Sequence, residues 1–259
     1  LRDLLRRERP ALVFHAAAHK HVPLLEHQAA EALENNSLKT LLLARWAGEA
    51  GVERFILVST DKAIRPTSVM GATKRLAELA LQAVQSQHPQ TRFISVRFGN
   101  VLGSSGSVVP LFKKQIAAGG PVTVTHPDVT RYFMSVSEAA GLILQAAHQG
   151  AGGEIFVLDM GNPIKIADLA RELIRLSGLR EGTDIEIRYT GLRPGEKMFE
   201  ELRHDGESSE KTACNRIWRQ KPGPAAAGDF PARLEVLVKE SPQLGNAEIR
   251  RRIQSLVPE

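Results

Sequence analysis

The 259 residues contain one cysteine, Cys214, two tryptophans and two tyrosines, and no apolar run reaches the ~18–20 residues that a membrane helix needs. A single cysteine excludes an internal disulfide framework and fits a reducing, cytoplasmic setting. No charged-then-apolar leader opens the chain. Charge of one sign is not clustered either. The 34 lysines and arginines are interleaved with 29 acidic residues, so the formal charge of +5 favours a small anionic partner and argues against a nucleic-acid surface. Also missing is any G-x-G-x-x-G, the turn with which dinucleotide-binding folds normally open. Either no dinucleotide binds or, since the chain starts at Leu1 and not at a methionine, a first βαβαβ half, or most of it, is expected upstream.

What is present is alternation. Short β-rich runs, ALVFHAAA (11–18), RFILVST (54–60) and RFISVRFG (92–99), are separated by helical patterns that run to about Ala50 and over 69–86. This rhythm predicts an α/β fold with a Rossmann-like parallel sheet, whose ligands bind beyond the carboxyl ends of the strands. After about residue 103 the rhythm loosens. A helix starting near Ser135 or Ser137, strands at 154–159 and 185–191 and a helix over 166–177 predict a smaller α/β lobe. The expected division is therefore 1–102 and 103–259, with some later segments returning to the sheet. The PGPAAAG stretch at 222–228 reads as a linker.

Candidate chemistry sits where those strands end. VSTDK (58–62) sets hydroxyl, carboxylate and ammonium side by side; it reads either as a polar turn capped by Asp61 or as an acid–base cluster. In SVMGATK (68–74), Met70 and Lys74 share a helix face, where many dehydrogenases carry tyrosine and lysine, but methionine holds no proton. Asn100 precedes a loop of small residues that is either a plain surface loop or a phosphate cradle, and Arg131 and Arg193 are candidate phosphate clamps. HAAAHKHVP (15–23) carries three histidines without the spacing of a zinc site, so no metal is expected; its alanines leave room for a flat ring.

HAAAHKHVPLLE, NNSLKT, FILVSTDKAIRPTSVMGATKRLAE, SVRFGNVLGSSGSVVPLFKKQI, VTVTHPDVTRYFMSVSEA and GLRPGEKMFEEL together resemble the nucleotide-sugar 4,6-dehydratases of bacterial polysaccharide biosynthesis. These are extended short-chain dehydrogenase/reductases, and the resemblance covers about residues 10 to 205. It is to the branch with methionine in place of tyrosine, typified by membrane-anchored members with a soluble C-terminal catalytic domain. The resemblance implies NAD or NADP as a recycled cofactor and UDP-N-acetylglucosamine as substrate, for capsule or O-antigen precursors. It assigns catalysis to Thr60, Asp61, Lys62, Met70 and Lys74, with Asp61 as proton donor to the 6-hydroxyl and Lys62 as base at C5. It places Ala17, Ser59, Lys74 and Phe98 at the cofactor, and Lys20, Asn100, Arg131, Arg193 and Glu196 at the UDP-sugar. Lys39 stands where many extended members have glycine. A homo-oligomer formed through the helices at about 24–50 and 69–86 is expected on the same ground. Two other functions stay open, a UDP-sugar 4-epimerase and a catalytically silent nucleotide-sugar-binding fragment.

Overall fold

The computed structural model describes residues 1–202, 209–220 and 229–257; the 222–228 linker lies outside them. Helix α1 (Arg2–Glu8) leads into β1 (Leu12–His15). A long helical stretch follows, made of α2 (Val22–Leu25), α3 (Ala29–Ala32), a π-helical segment (Leu33–Leu38) and α4 (Lys39–Glu49). The predicted alternation continues through β2 (Arg54–Val58), α5 (Val69–Gln87) and β3 (Arg92–Arg97). Next come β4 (Asn100–Val101), α6 (Val108–Ala117), β5 (Val122–Val124), β6 (Thr130–Arg131), β7 (Phe133–Met134) and α7 (Val136–Gln149). Ser135 begins α7 with a capping box: its hydroxyl accepts from Glu138 N, and the Glu138 carboxylate accepts from Ser135 N. The chain goes on through β8 (Ile155–Leu158), β9 (Ile164–Lys165), α8 (Ile166–Leu176) and β10 (Ile187–Tyr189). Beyond residue 202, where sequence signals are weak, the structure adds β11 (Ser209–Lys211), β12 (Ile217–Gln220), α9 (Phe230–Glu240) and α10 (Asn246–Leu256).

The main sheet has the order β1-β2-β3-β8-β12-β11. Its first four strands are parallel, and β12 and β11 return antiparallel. The expected Rossmann-like sheet is thus present, and β8, β12 and β11 reach it from beyond residue 102. The later lobe keeps a separate core in which Phe112, Val122, Val124, Ile166 and Ile174 meet. β2 and β3 are apolar at successive positions because both their faces are covered. Phe55, Leu57 and Phe93 pack against Leu41, Leu76 and Ala80 of α4 and α5, while Ile56, Ile94 and Val96 pack against Ala139 and Ala146 of α7. Each such buried side chain contributes roughly 1.5–3 kcal/mol. β1 is an edge strand, and Leu12 and Phe14 on it are 47% and 43% exposed. α9 and α10 lay Phe230, Leu234, Ile249 and Ile253 against α3, the π-helical segment and α5. No helix among the described residues is long and apolar enough to cross a membrane.

One ion pair crosses this core. Glu78 of α5 is fully buried and receives two bonds from Arg97 of β3, Nε to Oε1 at 2.8 Å and Nη2 to Oε2 at 2.6 Å. The Arg97 guanidinium also donates to Gln220 Oε1 at 2.9 Å, tying β12 to the sheet. Burial raises the Glu78 pKa, but Arg97, Arg75 and the Ser59 hydroxyl outweigh it and leave the carboxyl below its ordinary range. Its stabilising contribution is therefore complete above the unfolded carboxylate pKa and is lost as pH falls through the lower folded value. Arg97→Met leaves that carboxylate buried without its main partner; urea denaturation should show a loss of about 3–5 kcal/mol, and a loss below about 1 kcal/mol contradicts this assignment.

Candidate active site

A cavity of about 470 Å³ opens at the carboxyl ends of β1, β2 and β3, with walls from both lobes. Its floor begins at the loop after β2. Thr60 caps a short 3₁₀ turn: its hydroxyl accepts from Lys62 N at 3.4 Å and donates to Asp61 Oδ1 at 3.0 Å. α5 can start hard against this turn because Gly71 has no side chain; a Cβ there would lie 2.1 Å from the Lys62 carbonyl oxygen. Ser68 caps α5 by accepting from Gly71 N, and Glu26 accepts from Val69 N at 2.7 Å. Met70 and Lys74 are thereby fixed on the cavity wall beside Ser59, Thr60 and Lys62.

Lys62 Nζ donates to Asp61 Oδ1 at 3.0 Å and to Asn100 Oδ1 at 3.3 Å, and lies 3.3 Å from Glu200 Oε1. Burial works against its charge, but the two carboxylates outweigh burial and raise the pKa. The ammonium form is the resting form. Lys74 is the opposite case. Burial lowers it to about 8, with Glu78 opposing, and its Nζ donates to Val58 O at 2.7 Å.

Across the cavity, Arg131 is held by the carbonyls of Thr130, Lys197 and Met198 and by Glu196 Oε1 at 3.1 Å; its Nε is 3.7 Å from Glu200 Oε1. Glu196 also accepts from the Thr125 hydroxyl at 3.1 Å and from Arg193 N at 3.2 Å. Lys20 and Arg193 are exposed at the rim.

The structure brings Ser59, Thr60, Lys62, Met70, Lys74, Phe98, Asn100, Arg131 and Glu196 to one cavity, with Lys20 and Arg193 at its mouth. Two expected residues are off the wall. Ala17 is exposed and only its neighbours Ala16 and Ala18 line the cavity. Asp61 is buried behind Thr60 and Lys62, with Oδ2 turned towards Gly99 and without a hydrogen-bond partner. The Ser59 hydroxyl is also committed elsewhere, donating to Glu78 Oε1 at 2.6 Å. Lys39, in the glycine position, is exposed and pairs with Glu34 at 3.2 Å.

The three histidines of the first strand-end motif have separate partners. His15 is buried, which lowers its pKa to about 4 with help from Lys74, and its Nε2 is 2.9 Å from Thr40 Oγ1. Thr40 spends its proton on Asn36 O, so it accepts from a neutral His15 carrying hydrogen on Nε2. His19 faces Glu31, and the ring of His21 packs over Gly106.

Two residues escaped the sequence reading. Glu200 lies on the wall, and its spacing of four from Glu196 in GEKMFEEL was the available signal. Asn36, in the π-helical segment, bonds both backbone groups of His19 and the Thr73 hydroxyl, fastening the loop after β1 to α5. Since burial disfavours the Lys74 cation, Lys74→Met should melt no lower than the wild type at pH 7 in a thermal scan; a drop of more than about 2 °C contradicts the assigned desolvation.

Comparisons with known proteins place the chain in a family. The polysaccharide biosynthesis protein family matches residues 1–222. The capsular polysaccharide biosynthesis protein CapD of Staphylococcus aureus is 54% identical over 219 residues, 85% of this chain and 36% of that protein. A UDP-glucose 4-epimerase of Rickettsia canadensis is 39% identical over 192 residues, 73% of this chain and 55% of that protein. The X-ray structure of Pen from Bacillus thuringiensis superposes with a TM-score of 0.77 at 35% identity, covering 87% of this chain and 70% of the other. The chain thus spans little more than a third of the CapD relative's length and about half of the epimerase's. With its residues matched over most of their length, this chain belongs to the polysaccharide biosynthesis protein family.

Proposed function

We propose that this chain is the catalytic part of a UDP-N-acetylglucosamine 4,6-dehydratase that supplies a UDP-4-keto-6-deoxy sugar for surface polysaccharide. The observation that carries this reading is Lys62, an amine held on the cavity floor between two carboxylates, Asp61 and Glu200, beside Met70 and Lys74. An epimerase moves only the hydrogens of C4 and its hydroxyl. It has no use for a base at C5 or an acid aimed at C6.

The residues present fit one end of a nicotinamide cofactor. Lys74 has no carboxylate within salt-bridge distance among the described residues, and it lines the same cavity as Ala16 and Ala18, whose small side chains leave room for a ribose diol and a flat ring. A G-x-G-x-x-G turn for the pyrophosphate is not among the 259 residues. The bound group, NAD or NADP, supplies transient acceptance of the C4 hydride and its return at C6.

The chain's own residues do the rest. Thr60 holds the C4 oxygen, and the carbonyl formed there acidifies the C5 hydrogen, which Lys62 removes once it is neutral. Asp61 enters this step as the carboxylic acid and supplies the proton for the departing 6-hydroxyl; from behind the wall it acts through the Thr60 hydroxyl that it already bonds. Arg131, Arg193 and Lys20 receive the diphosphate, Asn100 the sugar and Glu196 the ribose hydroxyls. Met70 packs the sugar without taking part in proton transfer.

The product mass tests the reading: UDP-N-acetylglucosamine should lose one water, and an unchanged mass points to epimerisation. Asp61→Asn and Lys62→Ala should each slow turnover ~10²-fold or more, whereas Met70→Ala should cost far less. A near-normal rate in either of the first two removes that residue from the scheme.

A further inference from the structure

Five charged side chains form an alternating row through the cavity wall: Asp61, Lys62, Glu200, Arg131 and Glu196. Glu200 is its middle member. Its side chain is 2% exposed, its Oε1 lies 3.3 Å from Lys62 Nζ and 3.7 Å from Arg131 Nε, and its Oε2 is buried with no hydrogen-bond partner. One carboxylate therefore joins the amine at the sugar end to the guanidinium at the nucleotide end. No role in the function proposed above uses it.

We propose that Glu200 is a positioning residue that couples nucleotide binding to Lys62: a diphosphate on Arg131 drives one proton from Lys62 to Glu200, leaving a neutral amine towards the sugar. The inference rests on the nucleotide-sugar reading of the site. Arg131 shares its charge between Glu196 and Glu200. A diphosphate claims that charge and adds negative potential, which favours the protonated form of both groups but acts more strongly on Glu200, in contact with Arg131, than on Lys62 one step farther along the row. Burial already raises the Glu200 pKa, Asp61 adds to the rise, and Lys62 and Arg131 oppose it. The transfer breaks one N–H bond of Lys62 and forms one O–H bond on Glu200. The nitrogen keeps the electron pair, and a buried ion pair becomes a neutral pair, which a dry site tolerates better. The freed pair on nitrogen is what removes a C5 proton. Lys62 is thus a base only when a nucleotide is in place.

Cyanate carbamylates neutral amines, and UDP leaves the sugar end open to it. In the natural full-length chain near neutral pH, saturating UDP should speed carbamylation of Lys62 about tenfold, the equivalent of one pKa unit, with exposed Lys239 unchanged as internal reference. Peptide mass mapping reads both lysines. Glu200→Gln, which cannot take the proton, should abolish the UDP effect, and Glu200→Asp should retain part of it if the glutamine variant does not fold. The proposal is overturned if calorimetry shows UDP bound and Lys62 does not react faster, or if the acceleration survives in Glu200→Gln. Failure of UDP to bind at all overturns the nucleotide-sugar reading together with it.

Discussion

The bidentate pair between Glu78 and Arg97 is the interaction on which the site depends. A carboxylate with no exposed surface is stable only when its charge is met on the spot, and Arg97 meets it with two bonds from the neighbouring strand. The pair fixes α5 against β3, and α5 carries Met70 and Lys74. It also takes the Ser59 hydroxyl and, through Gln220, the returning strand β12. With Glu78 occupied by Arg97, Lys74 is left on the cavity wall with no carboxylate at contact distance among the described residues, which is why burial can lower it to about 8.

The second set of charges is arranged differently. Where Glu78 and Arg97 satisfy each other, the row from Asp61 to Glu196 leaves buried oxygens over, Asp61 Oδ2 behind the cavity wall and Glu200 Oε2 on a residue of the wall. Buried carboxylate oxygens without partners are costly in a core and useful beside a substrate. The contrast separates the ion pair that holds the fold from the row that is available for chemistry. It also gives Met70 a consistent place: a side chain without a proton packs the wall, and the proposed proton transfer belongs to the loop after β2.

Much of this was legible in the residues. The parallel strands, helices α5, α7 and α8 and the ligand edge follow from periodicity and capping, because each is a local signal of one segment. What stayed hidden depends on distant segments. Glu200 meets Lys62 across 138 positions from an irregular stretch without periodicity, and β12 joins the sheet from a region of weak patterning. Asp61 was placed at the cavity by its neighbours Thr60 and Lys62, but the tight turn that Thr60 caps rotates it behind them. Ala17 misses the wall for the same reason: adjacency in sequence does not fix the side from which a loop residue faces a cavity. The π-helical segment at 33–38 carries no sequence rule of its own, and its purpose shows only in the bonds of Asn36 to His19 and Thr73.

The central claim is that this site removes and replaces a proton at sugar C5. Turnover of UDP-N-acetylglucosamine in heavy water, read by NMR of the product, tests it most directly. The account predicts one deuterium at C5 of a 4-keto-6-deoxy sugar, because the proton that Lys62 removes is returned from a solvent-exchanged amine. A product whose carbon-bound hydrogens all come from the substrate contradicts it.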